Sequence, residues 1–121
     1  MICTMVVDDQ EDVRVLLRMV IELANQGLKV ACEAASGHEA LDMLDDCDPC
    51  VVVLDQMMPG MNGIETAIRI KMERPEQLVI ICSAYLDSTI AAGARDAGVN
   101  ALLHKDDISS LPSLIREMVA A

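Results

Sequence analysis

Five side chains in this sequence have the types that could act together on one group. They are the carboxylates of Asp8, Asp9 and Asp55, the hydroxyl of Ser83 and the ammonium of Lys105. Clustered carboxylates repel one another unless a cation neutralises them. A hard divalent ion does this, and Mg²⁺ in particular takes few protein carboxylates, keeps water and often shares a phosphate. A lysine offers a mobile point charge to a phosphate oxygen, and a serine hydroxyl offers a hydrogen-bond donor. A carboxylate nucleophile, a metal, a cation and a donor are the parts that phosphoryl transfer needs. Each residue alone has a plainer role: a solvated acidic doublet, a turn serine, an exposed lysine. Their chemistry depends on whether the fold brings them together.

The elements that carry them are legible. Val51-Val52-Val53-Leu54 is a continuous apolar run, three of its four residues β-branched, and it ends in Asp55. Such a run predicts a strand buried on both faces. Gln56-Met57-Met58-Pro59-Gly60-Met61-Asn62-Gly63 then ends the strand. Cys3–Val7 predicts a first strand, running into Asp8-Asp9. A helix follows over about Glu11–Asn25, with Val13, Leu16, Leu17, Val20 and Ala24 on its buried face and Gly27 as its stop. Leu28–Ala34 predicts strand two. Ser36-Gly37-His38-Glu39 has the spacing of a capping box opening helix two, which sets Ala40, Leu41, Leu44 and Cys47 on one face. Asn62 caps helix three, and Pro75 stops it. Leu78–Cys82 predicts strand four, ending at Ser83. Helix four spans about Ser88–Ala97 and contains Gly93. Ala101–Leu103 predicts strand five, ending at His104-Lys105, and helix five begins near Ser110 with Pro112 in its first turn.

Five strand–helix alternations with short connections predict an α/β fold: one parallel five-stranded sheet with helices on both faces, a single domain over residues 1–121. In a parallel sheet every strand ends at the same edge. Asp8-Asp9, Asp55, Ser83 and Lys105 therefore converge.

Composition narrows the partners. The formal net charge is −11, from 20 acids against 9 bases, which argues against this chain gripping nucleic acid or an anionic membrane. No run is long enough to span a membrane and no signal peptide is evident, so the expected location is the cytoplasm. With no Trp or Phe and a single Tyr, the nine Met together with many Ala, Val, Leu and Ile are expected to fill the core, and the flexible Met to make it deformable. The five cysteines are expected to be inert thiols, including the Cys47-Asp48-Pro49-Cys50 pair, which lies at the wrong end of a helix for redox work. His38 has no evident partner, and His104 is expected to face solvent.

At Asp8-Asp9, the D-x-x-M-P-x-x-N-G stretch from Asp55 to Gly63, Ser83-Ala84 and Lys105, the chain resembles the receiver domain of two-component response regulators along essentially its whole length. The resemblance implies a three-layer doubly wound (βα)5 fold of flavodoxin-like type with strand order 2-1-3-4-5, an order for which a chemotaxis receiver is a general example of ligand binding at the sheet's switch point. It implies that Asp55 accepts a phosphoryl group from a histidine kinase or phosphotransfer protein. It assigns Asp9 as a direct Mg²⁺ ligand, Asp8 as a ligand mainly through water, and the Met57 backbone carbonyl as a further ligand beside Asp55. Ser83 and Lys105 bind phosphoryl oxygens, and the face of helix four, strand five and helix five carries the switch. Such a domain is a signalling module rather than an enzyme. A homodimer through that face, or through helices one and five, is compatible with it.

Two positions depart from the usual pattern. Asp106 follows the lysine where proline is common, and Leu102 stands three residues before it where an aromatic is common. The Lys-Asp pair is similar to nitrate-response-type receivers, which usually precede a DNA-binding domain. The Lys105–Asp106 peptide is expected to be trans, because a non-proline cis bond costs about 2.5–4 kcal/mol. Rival readings fit less well. An aspartyl-phosphate phosphatase of the haloacid dehalogenase kind needs an acid at the position of Met57. A flavodoxin-like nucleotide binder needs a phosphate loop where Asp8-Asp9 repels phosphate. A degenerate receiver that acts only as an interaction module lacks the full set of side chains present here.

Overall fold

The computed structural model describes residues 1–121. Strands β1 (Ile2–Val7), β2 (Leu28–Ala34), β3 (Val51–Leu54), β4 (Leu78–Ser83) and β5 (Ala101–His104) alternate with helices α1 (Glu11–Leu23), α2 (Gly37–Cys47), α3 (Gly63–Glu73), α4 (Ser88–Asp96) and α5 (Leu111–Ala120). The sheet is parallel throughout and has the order β2-β1-β3-β4-β5. Every residue of β3 is fully buried, as a central strand covered on both faces requires.

Side-chain alternation splits the core in two. Met5, Val7, Val52, Leu54, Val79 and Ile81 face α2, α3 and α4, where they meet Ala40, Leu44, Ala67, Ile70 and Ala94. Val6, Val51, Val53, Ile80 and Cys82 face α1 and α5, where they meet Leu17, Ile21, Leu111 and Ile115. This is the expected three-layer arrangement. Methionine contributes less than composition suggests: only Met5, Met58 and Met61 are buried, while Met1, Met19, Met57 and Met72 are exposed. Aliphatic side chains with few rotamers fill the space instead, which favours a well-defined core.

The buried face of α1 is rotated from the expected one. Leu17 and Ile21 are buried, whereas Leu16 is 48% exposed, on an outer stripe with Val15, Met19 and Leu23. Leu16 and Leu17 are adjacent, about 100° apart around the helix, so the pattern Val13–Leu17–Val20–Ile21–Ala24 takes the core and excludes Leu16. The helix stops at Leu23, earlier than expected. Asn25 and Gly27 then take left-handed backbone conformations on the way into β2.

Capping follows the sequence closely. The Ser36 hydroxyl accepts from the Glu39 N–H, while the Glu39 carboxylate reaches the Ala35 N–H rather than closing the full box. Asn62 and Glu65 do close one at α3. Each cap is worth about 1 kcal/mol. Between β5 and α5 the chain forms a 3₁₀ segment, Lys105–Ser110, that periodicity did not foretell. All peptide bonds are trans, Lys105–Asp106 included. The Asp106 N–H donates to Nδ1 of His104 at 3.0 Å, a bond that a proline could not make.

The cysteines depart most from expectation. Cys32 on β2 and Cys47 at the end of α2 form a disulfide, with Cα atoms 6.4 Å apart. Cys3, Cys50 and Cys82 are free. Packing of α2 across β2 brings together two residues 15 apart, whereas the one motif that signals pairing, Cys47-Asp48-Pro49-Cys50, points to Cys50, which is free.

Candidate functional site

At the carboxyl edge of the sheet, β1 and β3 lie side by side and deliver their acids to one place. The Asp55 N–H donates to the Val7 carbonyl at 3.0 Å, so the exit of β3 is fixed to the exit of β1. Carboxylate oxygens of Asp8, Asp9 and Asp55 lie within 4.8 Å of one another. Asp8 is fully buried, Asp55 is 7% exposed and Asp9 is exposed.

Lys105, at the end of β5, reaches into this group. Its Nζ lies 2.9 Å from Oδ2 of Asp8 and 3.5 Å from Oδ2 of Asp55. Ser83, at the end of β4, is buried, and its Oγ accepts from the Tyr85 N–H at 3.2 Å. Asp9, Gln10, Asp55, Met57, Ser83, Ala84, Tyr85 and Lys105 line an open pocket of about 360 Å³. The structure thus brings together the three acids, the serine and the lysine singled out in the sequence. Leu102 stands apart, half-buried on β5 against the α4 side of the core. The side chains of Met57 and Tyr85 are 58% and 65% exposed at the mouth of the pocket.

Supporting contacts were not legible in the sequence. The Gln10 N–H donates to Oδ1 of Asp8 at 2.9 Å, and the Arg14 guanidinium donates to the Asp8 carbonyl at 2.5 Å. Arg14 and Arg18 both pair with Glu33 on β2. Gln56 is buried, and its side-chain oxygen accepts the Ile64 N–H at 2.9 Å in the first turn of α3. A buried glutamine immediately after an acid is the one signal that could have suggested such bracing.

Burial pushes the Asp55 carboxyl above its usual range, and the charge of Asp8 pushes the same way. Lys105, Ser83 and the Met57 amide pull it down without cancelling the rise. Burial works to lower the Lys105 ammonium, but its hydrogen bond to Asp8 and the charges of Asp55 and Asp8 win, and the net shift is upward. Burial also pushes the Cys82 thiol up to about 11, so this sulfur beside the site is a thiol and not a nucleophile at neutral pH. An acidic pocket that one lysine only partly neutralises suits a divalent cation: the donor set is all oxygen, and the ionised form of Asp55 lacks compensation.

The sheet order and this edge cluster define a flavodoxin-like fold with its candidate ligand site at the carboxyl ends of the strands. Comparison with known proteins narrows the class. The chain belongs to the response regulator receiver domain family, whose model matches residues 4–116. It is 36% identical over 97 residues to the chemotaxis protein CheY of Thermotoga maritima, covering 76% of this chain and 79% of that protein. It is 34% identical over 116 residues to a protein-glutamate methylesterase/protein-glutamine glutaminase of Hahella chejuensis, covering 94% of this chain but only 33% of the esterase. Among solved structures, a LuxR-family two-component response regulator from Aurantimonas superposes with a TM-score of 0.92 at 31% identity, covering 98% of this chain and 84% of that one. This chain is a receiver domain of the two-component type, and it spans less than half the length of several relatives it matches, a third of the esterase among them. No helix is long and apolar enough to cross a membrane.

Proposed function

We propose that this domain takes a phosphoryl group onto Asp55 from the phosphohistidine of a histidine kinase or phosphotransfer protein. The carrying observation is the acidic trio with the Lys105 ammonium set between Asp8 and Asp55. An Asp55 carboxylate oxygen attacks phosphorus, the P–N bond breaks, and the imidazole nitrogen leaves with the electron pair. Asp9, Asp55, the Met57 carbonyl and, through water, Asp8 would hold Mg²⁺. When bound, the ion supplies positive charge to the transferring group's oxygens. Lys105 moves its charge from Asp8 towards those oxygens, and Ser83 donates its hydroxyl to one of them. The domain works as a signalling module over residues 1–121, in the cytoplasm, and catalyses no reaction beyond its own phosphorylation and dephosphorylation.

The output leaves through α4, β5 and α5, towards an effector or transcriptional partner outside this chain. Helix α4 buries only Ala94, so it is the helix least firmly held, and Leu102 offers no ring to rotate. Its movement follows Ser83 directly. Incubation with acetyl phosphate and Mg²⁺ should add one phosphoryl mass and change hydrogen exchange mainly between Ser83 and Leu103. No mass gain under these conditions would end this reading.

Two further outcomes are expected. A bound ion should raise stability by mass action, about 1.4 kcal/mol at tenfold excess over its dissociation constant, which is roughly 4–6 °C in Tm. Asp9→Ala should lose most of that rise. A parent Tm indifferent to millimolar Mg²⁺ would remove the metal from the site. Of the two candidate homodimer faces, α1 with α5 is favoured, because Val15, Leu16, Met19 and Leu23 make α1 the exposed apolar helix. Sedimentation should show any dimer of the phosphorylated protein weakened by Leu23→Asp. A dimer of undiminished affinity would shift the interface to the α4 side.

A further inference from the structure

The Cys32–Cys47 bond lies on the α2 side of the sheet and plays no part in the phosphoacceptor site. Both residues are only half-buried. The bond opens onto a shallow pocket of about 350 Å³ lined by Cys32, Cys47, Met43, Asp42 and Asp46. A structural disulfide earns its place in small secreted domains whose cores are too small to hold the fold. This chain already has an apolar core on each side of its sheet. What the bond adds is local. The start of α2 is held by the Ser36 cap and by the close seat of Gly37, where an added Cβ would lie 2.3 Å from Thr66 Oγ1. Its end is held by Arg74, which pairs with Asp45 and Asp48 and donates to the Leu44 carbonyl, and covalently by Cys32–Cys47.

We propose that Cys32–Cys47 is a reversible dithiol–disulfide site, opened by neutral or cationic thiols, whose state sets how firmly the end of α2 is held on β2. A thiolate that enters the pocket attacks one sulfur, forms a mixed disulfide and expels the other cysteine as a thiolate, which takes a proton. A second thiol releases the first as its disulfide. Two external thiols are oxidised and the protein disulfide becomes two thiols, so electrons and protons balance. Charge selects the reductant. Asp42 and Asp46 line the pocket and have no ion-pair partner, since Arg74 is committed to Asp45 and Asp48. With a net charge of −11 behind them, these acids repel an anionic thiol and attract a cationic one.

The test uses the whole chain purified without reductant. Alkylation under denaturing conditions should label three thiols, and five after reduction. Native reduction is then timed with cysteamine, dithiothreitol and mercaptosuccinate at matched thiolate concentration. The cationic thiol should outpace the anionic one by roughly tenfold at low ionic strength, and the gap should close at about 1 M salt. The reduced protein should melt about 10 °C lower, and a Cys32→Ser/Cys47→Ser variant should match it. Cys50→Ser should leave the rates unchanged, because the attack comes from outside the chain. Five thiols labelled before reduction would overturn the proposal, as would reduction only in denaturant, equal rates for the charged thiols, an unchanged Tm or a Cys50-dependent rate. None of these measurements involves phosphoryl transfer, so they stand or fall apart from the role of Asp55.

Discussion

Asp55→Asn protein should gain no mass from acetyl phosphate and Mg²⁺, while keeping its fold and, without metal, at least the parent's stability at pH 7. The loss of phosphorylation is complete because an amide oxygen is not a nucleophile towards phosphorus and Asp55 is the acid that meets both the Lys105 ammonium and the Ser83 hydroxyl. Asp8 is the nearest alternative, but it is fully buried and committed to Lys105 and the Gln10 amide. The stability follows from the raised pKa of Asp55, caused first by burial and then by the charge of Asp8. A carboxyl whose folded pKa lies above 3.8 binds more protons in the native state between the two values. Its contribution to stability therefore falls as pH rises through that window and stays low above it. Asparagine removes this penalty, and Lys105 keeps its 2.9 Å bond to Asp8. The stability difference between variant and parent should shrink as pH falls through the raised folded pKa of Asp55 towards 3.8, and be gone below it. Urea unfolding of both proteins in chelator, from pH 3.5 to 7, measures it. A variant phosphorylated to the parent's extent would move the phosphoacceptor elsewhere. A difference that grows on acidification would reverse the sign assigned to Asp55.

The site was legible because it is built from strand ends. Once Val51–Leu54 is a buried parallel strand, Asp55 can sit only at the carboxyl edge, and the same holds for Asp8, Ser83 and Lys105 after their own apolar runs. Element type was equally clear where period and caps agreed, as at Ser36 and Asn62. What failed was decided between elements. Leu16 and Leu17 read alike along the chain, and only the docking of α1 on the sheet separates them. Cys32 and Cys47 are unremarkable until α2 lies on β2. Arg14 looks like a solvated helix residue, yet it closes onto the Asp8 carbonyl from the next element. Such contacts depend on three-dimensional register, which no window of sequence contains.

The largest effect on stability should come from Gly63, and a neighbour in the same loop makes the control. Gly60 has φ +76° with open space around it, so alanine there meets only the strain of a left-handed backbone, about 1 kcal/mol. Gly63 is limited by space. A Cβ on it would lie 2.5 Å from the Asp55 carbonyl oxygen and 2.9 Å from Cα of Gln56, both backbone atoms that cannot swing aside. The Gly63 N–H also donates to the Gln56 carbonyl at 3.1 Å, and the Gln56 side chain caps Ile64, so the start of α3 is clamped onto the exit of β3. Gly63→Ala must push α3 away or displace the peptide that carries Asp55. Overpacking of this kind costs about 3 kcal/mol, near the upper end of the usual range because the obstacle is main chain. Tm should then fall by roughly 10–15 °C, against roughly 5 °C for Gly60→Ala. Because the displaced peptide holds the phosphoacceptor, phosphorylation of the folded fraction should slow by about tenfold or more even at low temperature. Parallel melting curves and acetyl phosphate time courses of the two variants check both parts. Equal melting of the two would mean that the loop yields at Gly63. A destabilised Gly63→Ala with the parent's phosphorylation rate would mean that α3 retreats and Asp55 stays in place.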